Sequence, residues 1–232
     1  MVIEMLKLKC IGTGSSGNCY ILEENDQLVI LDVGIRMADI KKGIGYRVSD
    51  IVTVFTSHGH QDHSKSEEKF VNMGADIFAP YHSENLTQTH KNKGWYFKSF
   101  DLPQGDCPNT GIYIMSPDGH KLVYMTDFQH FAYKFTKLHI NTFLIACNHM
   151  DDIDKEANEG KFAHTIRDHS SLSVVKEFLR VNKTDRLQSV ILCHLSPDNA
   201  QPSVMLQEVQ EVVGDNVRCY IAKKGQVIEL DE

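Results

Sequence analysis

Apolar positions along this chain recur mostly with a period of two or as short unbroken runs, the spacing of strands. The 3.6-residue spacing of helices shows in only three stretches. In the first half, strands are expected over residues 5–11, 18–23, 27–32 and 51–56. Turns fall at 12–17 and 24–26, where Gly, Ser, Asn and Asp gather. Residues 64–73 take helical spacing with Phe70, Val71 and Met73 on the apolar side. Short strands follow at 76–79, 95–100, 110–115 and 121–126, and Pro117-Asp118-Gly119 predicts a hairpin between the last two. After an apolar strand at 142–147 the rhythm changes to helix (171–181), strand (189–193) and helix (202–213, with Pro202 in its first turn). Strands at 217–222 and 226–230 close the chain. Two strand-rich halves, each finished by strand–helix units, predict an α/β (α+β) architecture. Two sheets would pack face to face with helices outside and loops carrying chemistry at one edge. No repeat, low-complexity tract or Pro/Gly linker divides the chain, so one domain over 1–232 is expected.

Composition adds boundaries. With 41% apolar and 24% charged residues the chain reads as an ordinary globular protein. No apolar run approaches membrane-spanning length and no basic-then-apolar leader is visible, so neither a span nor a secretion signal is expected. Six cysteines lie far apart without a CxxC pair, most of them inside apolar runs. They read as buried hydrophobes in a reducing cytoplasm rather than a disulfide framework. A net charge of −7 argues against bulk binding to a nucleic-acid backbone but leaves room for a local basic patch. One candidate is Lys91-Asn92-Lys93-Gly94-Trp95-Tyr96-Phe97-Lys98. Its cations interleave with aromatics as in single-strand contacts, or as in a basic edge strand with one buried face.

Chemistry concentrates at Thr56-Ser57-His58-Gly59-His60-Gln61-Asp62-His63, where three imidazoles and a carboxylate follow an apolar strand. Imidazole nitrogen and carboxylate oxygen suit borderline metals such as zinc. Alternation along extended backbone lets His58 and His60 face one metal, and Asp62 and His63, past the turn, a second. Other strand ends offer partners: Asp127 after residues 122–126, His194 after 190–193, and Asp32 after 28–31. Asp127 could bridge two cations, and Asp32 is better placed to orient a metal-bound histidine.

Together these features resemble the metallo-β-lactamase superfamily, and its phosphodiesterase-like, ribonuclease Z-related branch in particular. HxHxDH follows an Asp-x-Gly strand end (Asp32-Val33-Gly34) and precedes Thr126-Asp127 and a late strand-end His. Further residues carrying the likeness are Gly12-Thr13-Gly14-Ser15-Ser16-Gly17-Asn18, Asn148, His169-Ser170-Ser171, Ile191-Leu192-Cys193-His194-Leu195-Ser196 and Ala222-Lys223-Lys224-Gly225. The resemblance implies a four-layer αββα sandwich holding two divalent metal ions, zinc first, with manganese or iron as alternatives. It also implies that His58 and His60 bind the first metal, that Asp62, His63 and His194 bind the second, and that Asp127 bridges them. Asp62 would orient or deprotonate the attacking water, and His169 would protonate the leaving oxygen. The loop from Gly12 to Asn18 reads as an ordinary hairpin turn or, through its backbone N–H groups and hydroxyls, as a phosphate cradle, in which case Ser15, Ser16 and Asn18 would face substrate together with Asn148; a homodimer is the common assembly among relatives.

One feature departs from that pattern. Relatives carry a His in the segment before the Gly-containing strand, whereas this chain reads Leu102-Pro103-Gln104-Gly105-Asp106-Cys107-Pro108-Asn109-Thr110-Gly111. Gly105 takes the aligned place and has no side-chain donor. Three outcomes follow: Asp106 or Gln104 shifts in as an oxygen ligand, which would favour manganese over zinc; the first metal binds weakly; or the enzyme runs on one metal or is impaired. His82, His120 and His149 are further sources of a ligand. Ala146 also stands where relatives often show a Glu. His82, His90, His139 and His164 read as surface residues, while His130 and His149 lie near enough for substrate contact. The leading expectation is a phosphodiesterase acting on a nucleic acid, nucleotide or small phosphodiester. Its competitors are hydrolysis of a lactam, lactone or thioester, and a binding protein with a degraded metal site.

Overall fold

A computed structural model of the chain describes residues 5–105, 107–152 and 169–230. Its first sheet contains β1 (Lys7–Gly12), β2 (Cys19–Glu24), β3 (Gln27–Leu31), β4 (Ile51–Phe55), β5 (Ile77–Phe78) and β13 (Val227–Glu229), in the order β13-β1-β2-β3-β4-β5. Its second contains β6 (Thr89–Asn92), β7 (Trp95–Asp101), β8 (Thr110–Met115), β9 (Lys121–Met125), β10 (Thr142–Ala146), β11 (Ser189–Cys193) and β12 (Arg218–Ile221), in the order β12-β11-β10-β9-β8-β7-β6. Each sheet is antiparallel on one side and parallel on the other. The parallel strands are β3, β4 and β5 in the first sheet and β9 to β12 in the second.

Strand alternation builds the layers. Tyr20 and Leu22 of β2 and Val29 and Leu31 of β3 join Phe97, Ile112, Tyr124 and Ile145 in the core between the sheets. The alternate residues Cys19, Ile21, Leu28 and Ile30 point the other way, onto Ile40 and Ile44 of the α1 region and Phe70 of α3. Here α1 is Met37–Gly43, α2 is Gln61–Ser64 and α3 is Glu67–Asn72. On the far side, α4 (Leu172–Asn182) and α5 (Pro202–Val213) bury Val175, Phe178, Leu179, Met205, Val209 and Val213 against the second sheet. The result is the four-layer αββα sandwich. Among the described residues no helix is long and apolar enough to cross a membrane.

Several expectations need adjustment. The helix expected over 64–73 is two short ones, and only Phe70 faces inward, while Val71 is 55% and Met73 41% exposed. Residue 71 is a third of a turn from residue 70, so a stripe built on His63, Glu67 and Phe70 leaves Val71 outside. The short helix α1 and the edge strand β6 lay unread in the sequence. With β6 in place, the basic aromatic segment is a hairpin turning at Lys93 and Gly94, both at positive φ. Trp95 and Phe97 are buried, and Lys91 lies over the Tyr96 ring. The two core aromatics are thus unavailable for stacking on bases, which favours the edge-strand reading.

Candidate metal centre

The carboxyl ends of the parallel strands open at one edge of the sandwich, where ligand sites of α/β sheets gather. Asp32 follows β3, Ser57 and His58 follow β4, Asp127 follows β9, Asn148 follows β10, and His194 follows β11. Asp32, Asp127 and His194 all adopt positive φ (57°, 47° and 53°). Left-handed backbone is uncommon outside Gly and turns each side chain sharply out of its strand.

Two donor clusters result. Asp62, His63, Asp127 and His194 form one, and His58, His60 and Cys107 the other, with the ligand atoms inside each within 4.8 Å of one another. In the first cluster His63 Nε2 lies 3.4 Å from Asp62 Oδ2 and 3.1 Å from Asp127 Oδ2. His194 Nε2 lies 3.3 Å from Asp62 Oδ2 and 3.5 Å from Asp127 Oδ1. Donors around a tetrahedral zinc at about 2.0–2.2 Å must stand roughly 3.4 Å apart by geometry, so these separations fit a shared cation. Asp127 Oδ2 is also 3.6 Å from His58 Nε2, which sets this carboxylate between the clusters. In the second cluster His58 Nε2 lies 3.1 Å from His60 Nδ1, and Cys107 Sγ 3.8 Å from His60 Nε2.

A buried frame orients these donors. Asp32 is fully buried and accepts from His63 Nδ1 at 2.6 Å, Tyr124 Oη at 2.5 Å, Ser57 Oγ at 3.1 Å and the Ser57 amide at 2.8 Å. Holding Nδ1 in this way turns His63 Nε2 toward Asp62 and Asp127. Ser57 Oγ, 3.0 Å from His58 Nδ1, does the same for the other cluster. Gly34 explains the Asp-x-Gly strand end: a Cβ there would lie 1.7 Å from the Asp62 carbonyl oxygen. The Val33 amide donates to the His63 carbonyl and the Asn18 amide to that of Asp62, which docks the histidine loop on β3.

Electrostatics follow from burial and pairing. Burial pushes His58 down to about 3, so it stays neutral and able to offer a lone pair. Burial opposes charge on Asp62, but hydrogen bonds from His194 and His63 outweigh it and lower its pKa. The same balance holds Asp127 well below the usual carboxylate range, with His194 and His63 as the main partners. For His63, burial is outweighed by Asp32 and Asp127, which raise it.

Other expected residues take particular places. His169 Nδ1 is 3.4 Å from Asp127 Oδ1, and its ring lies 5.6 Å from that of His194. Ser15 and Ser16 are exposed. Asn18 and Asn148, expected to face substrate, are buried instead. The Asn18 amide nitrogen lies 3.1 Å from His63 Nε2, and that of Asn148 lies 2.8 Å from His194 Nδ1 and donates to the His194 carbonyl. Asn148 therefore positions His194 from the side away from the donor cluster, whereas Asn18 meets the edge of His63 that faces it.

Asp106 lies outside the described residues, as does His164. Gln104 reaches only the rim, its Nε2 3.4 Å from His60 Nδ1. His82 pairs with Glu67, His120 with Thr142 and His149 with the Met150 carbonyl, so none joins either cluster. His90, expected at the surface, pairs with Asp76 at 2.7 Å, whereas His130 and His139 are exposed. Cys107, Tyr124 and Ser57 were passed over in the sequence. Cys107 alone left a signal, as a donor two residues from Gly105 in a polar, proline-flanked loop.

Comparison with known proteins agrees with this geometry. The family model for the metallo-beta-lactamase superfamily matches residues 12–70, which include the histidine loop. The metallo-beta-lactamase fold protein YhfI from Bacillus subtilis superposes with a TM-score of 0.72 at 17% identity, covering 97% of this chain and 99% of that one. The short form of human tRNase Z superposes at 0.64 and 12% identity, over 97% and 100% of the two chains. A diphosphatase of the PhnP family gives 0.65 at 11% identity, over 97% and 98%. The sandwich, the histidine loop and the family match over residues 12–70 agree in giving this chain the metallo-β-lactamase type of fold.

Proposed function

We infer that the protein is a metal-dependent hydrolase and, more narrowly, a phosphodiesterase. The observation that carries this reading is Asp127, a buried carboxylate with one oxygen toward His58 and His63 and the other toward His194 and His169. His58 and His60 would hold one divalent ion, Asp62, His63 and His194 another, with Asp127 shared. Such ions supply positive charge against phosphoryl oxygens and a water of lowered pKa. Zinc suits the imidazole-rich donor set best.

The chain's own groups do the rest. Asp62, kept ionised by His63 and His194, can accept a proton from the attacking water. His169, beside Asp127 and 20% exposed at its side chain, is placed to hand a proton to a leaving oxygen. Asp32, Ser57 and Asn148 hold the imidazoles still through their Nδ1 atoms. A groove of about 350 Å³ lined by Thr13, Ser16, Lys65, Lys224 and the Arg36–Asp39 ion pair adjoins the centre, where Thr13 accepts from the His194 amide. Local cations on a chain of net charge −7 suit a phosphate-bearing substrate. Two of the relatives are themselves a tRNase and a diphosphatase by name.

The test is hydrolysis of bis(p-nitrophenyl) phosphate by the chelated protein reloaded with Zn²⁺, Mn²⁺ or Co²⁺. Turnover that vanishes on chelation and in Asp62→Ala supports the reading. No turnover with any of the three metals overturns it, and nitrocefin or acyl-lactone turnover in its place moves the substrate class to carbonyl compounds.

A further inference from the structure

We propose that Cys107 is the third protein ligand of the first metal, so that this centre holds its ion with two imidazoles and a thiolate. The inference rests on reading His58 and His60 as ligands. Taking one ligand atom from each of His58, His60 and Cys107, the three lie within 4.8 Å of one another, so two imidazoles and a sulfur converge on one place. The loop that delivers Cys107 is pinned at both ends. The Leu102 amide donates to the Asn109 carbonyl, and Asn109 pairs with His58 in an isolated antiparallel bridge. The Asn109 side chain donates to the carbonyls of Thr126 and Asp127, which ties the same loop to the strand end carrying the shared carboxylate. Cys107 is thus held two residues from a backbone fastened to both clusters.

The other cysteines mark the contrast. Cys10, Cys19, Cys147 and Cys193 are buried in apolar surroundings, and Cys219 lies on β12. Cys107 alone among the six stands beside imidazoles. The thiol proton leaves to solvent as the sulfur–metal bond forms. Sulfur at the place of Gly105's missing donor makes the first site softer than the oxygen-richer second one. It favours zinc or cobalt over manganese, the reverse of what an aspartate or glutamine there would favour. The nearby Gln104 amide, whose Oε1 lies 3.5 Å from Cys107 Sγ, is a partner of the sulfur rather than its replacement.

The experiment is cobalt titration of the chelated full-length protein, followed by absorption and metal content. Two equivalents bound with a thiolate-to-cobalt charge-transfer band in the near ultraviolet is the expected result. The band should survive Gln104→Ala and Cys219→Ser. It should vanish in Cys107→Ser together with one equivalent of metal, and vanish in Cys107→His with both equivalents kept. Zinc loading of the unaltered protein should also slow alkylation of Cys107 by iodoacetamide, a readout that needs no variant to fold. Two equivalents without the band, a band that survives Cys107→Ser, or alkylation indifferent to zinc overturns the proposal. Band and protection without phosphodiester turnover would leave it standing and sink the phosphodiesterase reading. Turnover without the band would do the opposite.

Discussion

The Tyr124 hydroxyl lies 2.5 Å from Asp32 Oδ2, so a residue of β9 in the second sheet ties down the carboxylate that ends β3 in the first. Both residues are buried, and burial together with Asp32 raises the Tyr124 pKa well above normal, keeping it a donor. Tyr124→Phe removes one of four donors to Asp32. A hydrogen bond to a charged group contributes about 1.5–3 kcal/mol, and that loss is expected in the urea unfolding midpoint of the chelated protein. An unchanged midpoint would mean the contact is energetically idle.

Gly34→Ala tests the docking of the histidine loop. The added methyl would stand 1.7 Å from the Asp62 carbonyl oxygen, a separation no rotamer can relieve because both atoms sit at the backbone. Asp62 and His63 must then move off β3. The expected outcome is loss of one metal equivalent with a lowered melting temperature. Full metal content in the variant would show that the loop docks by other contacts.

The pH response of the metal-free chain carries a sign that His58 sets. Its folded pKa of about 3 lies below the ordinary 6.5, so the unfolded chain binds the extra proton between those values. Stability from this residue is therefore present above pH 6.5 and is lost as pH falls toward 3. His63 works the other way, since its raised pKa stabilises the fold below 6.5. Asp62 and Asp127, both lowered, matter only once pH drops into the ordinary carboxylate range. As pH falls from 7 to 5 the urea midpoint of the unaltered protein should thus drop relative to that of His58→Asn, where His63 acts unopposed, both chelated. Equal differences would remove His58 as the cause.

The role of His169 is separable from metal binding by choice of leaving group. A proton donor matters little when p-nitrophenolate departs and much when an alkoxide does. His169→Ala should leave bis(p-nitrophenyl) phosphate turnover within a few-fold of normal. It should slow an alkyl phosphodiester by about 10²–10⁴-fold, the usual range for general-acid catalysis. Equal losses on both substrates would make His169 a positioning residue instead.

Much of the centre was readable because its ligands are local or sit at strand ends. The run His58 to His63 places four donors within six residues, and apolar strands ending in Asp32, Asp127 and His194 announce themselves by hydrophobic patterning. Asn18 and Asn148 lie buried against imidazoles, and a buried amide of that kind looks in sequence like an exposed one that meets substrate. The helix 64–73 was read with too broad an apolar face for the same reason: Val71 and Met73 are as apolar as Phe70 but lie off the stripe.

The sequence by itself determined the succession of every described strand but β6, the two-sheet architecture and the six His and Asp donors, because burial periodicity and ligand chemistry are written residue by residue. Only the tertiary structure decided that Tyr124 supports Asp32 and that Cys107 stands beside His60. Those partners are 92 and 47 residues apart, and their meeting depends on how the sheets face each other and how the Leu102-to-Asn109 loop is pinned. No local pattern encodes that. The vacancy at Gly105 could be read from the sequence, but the sulfur that answers it could be found only in space.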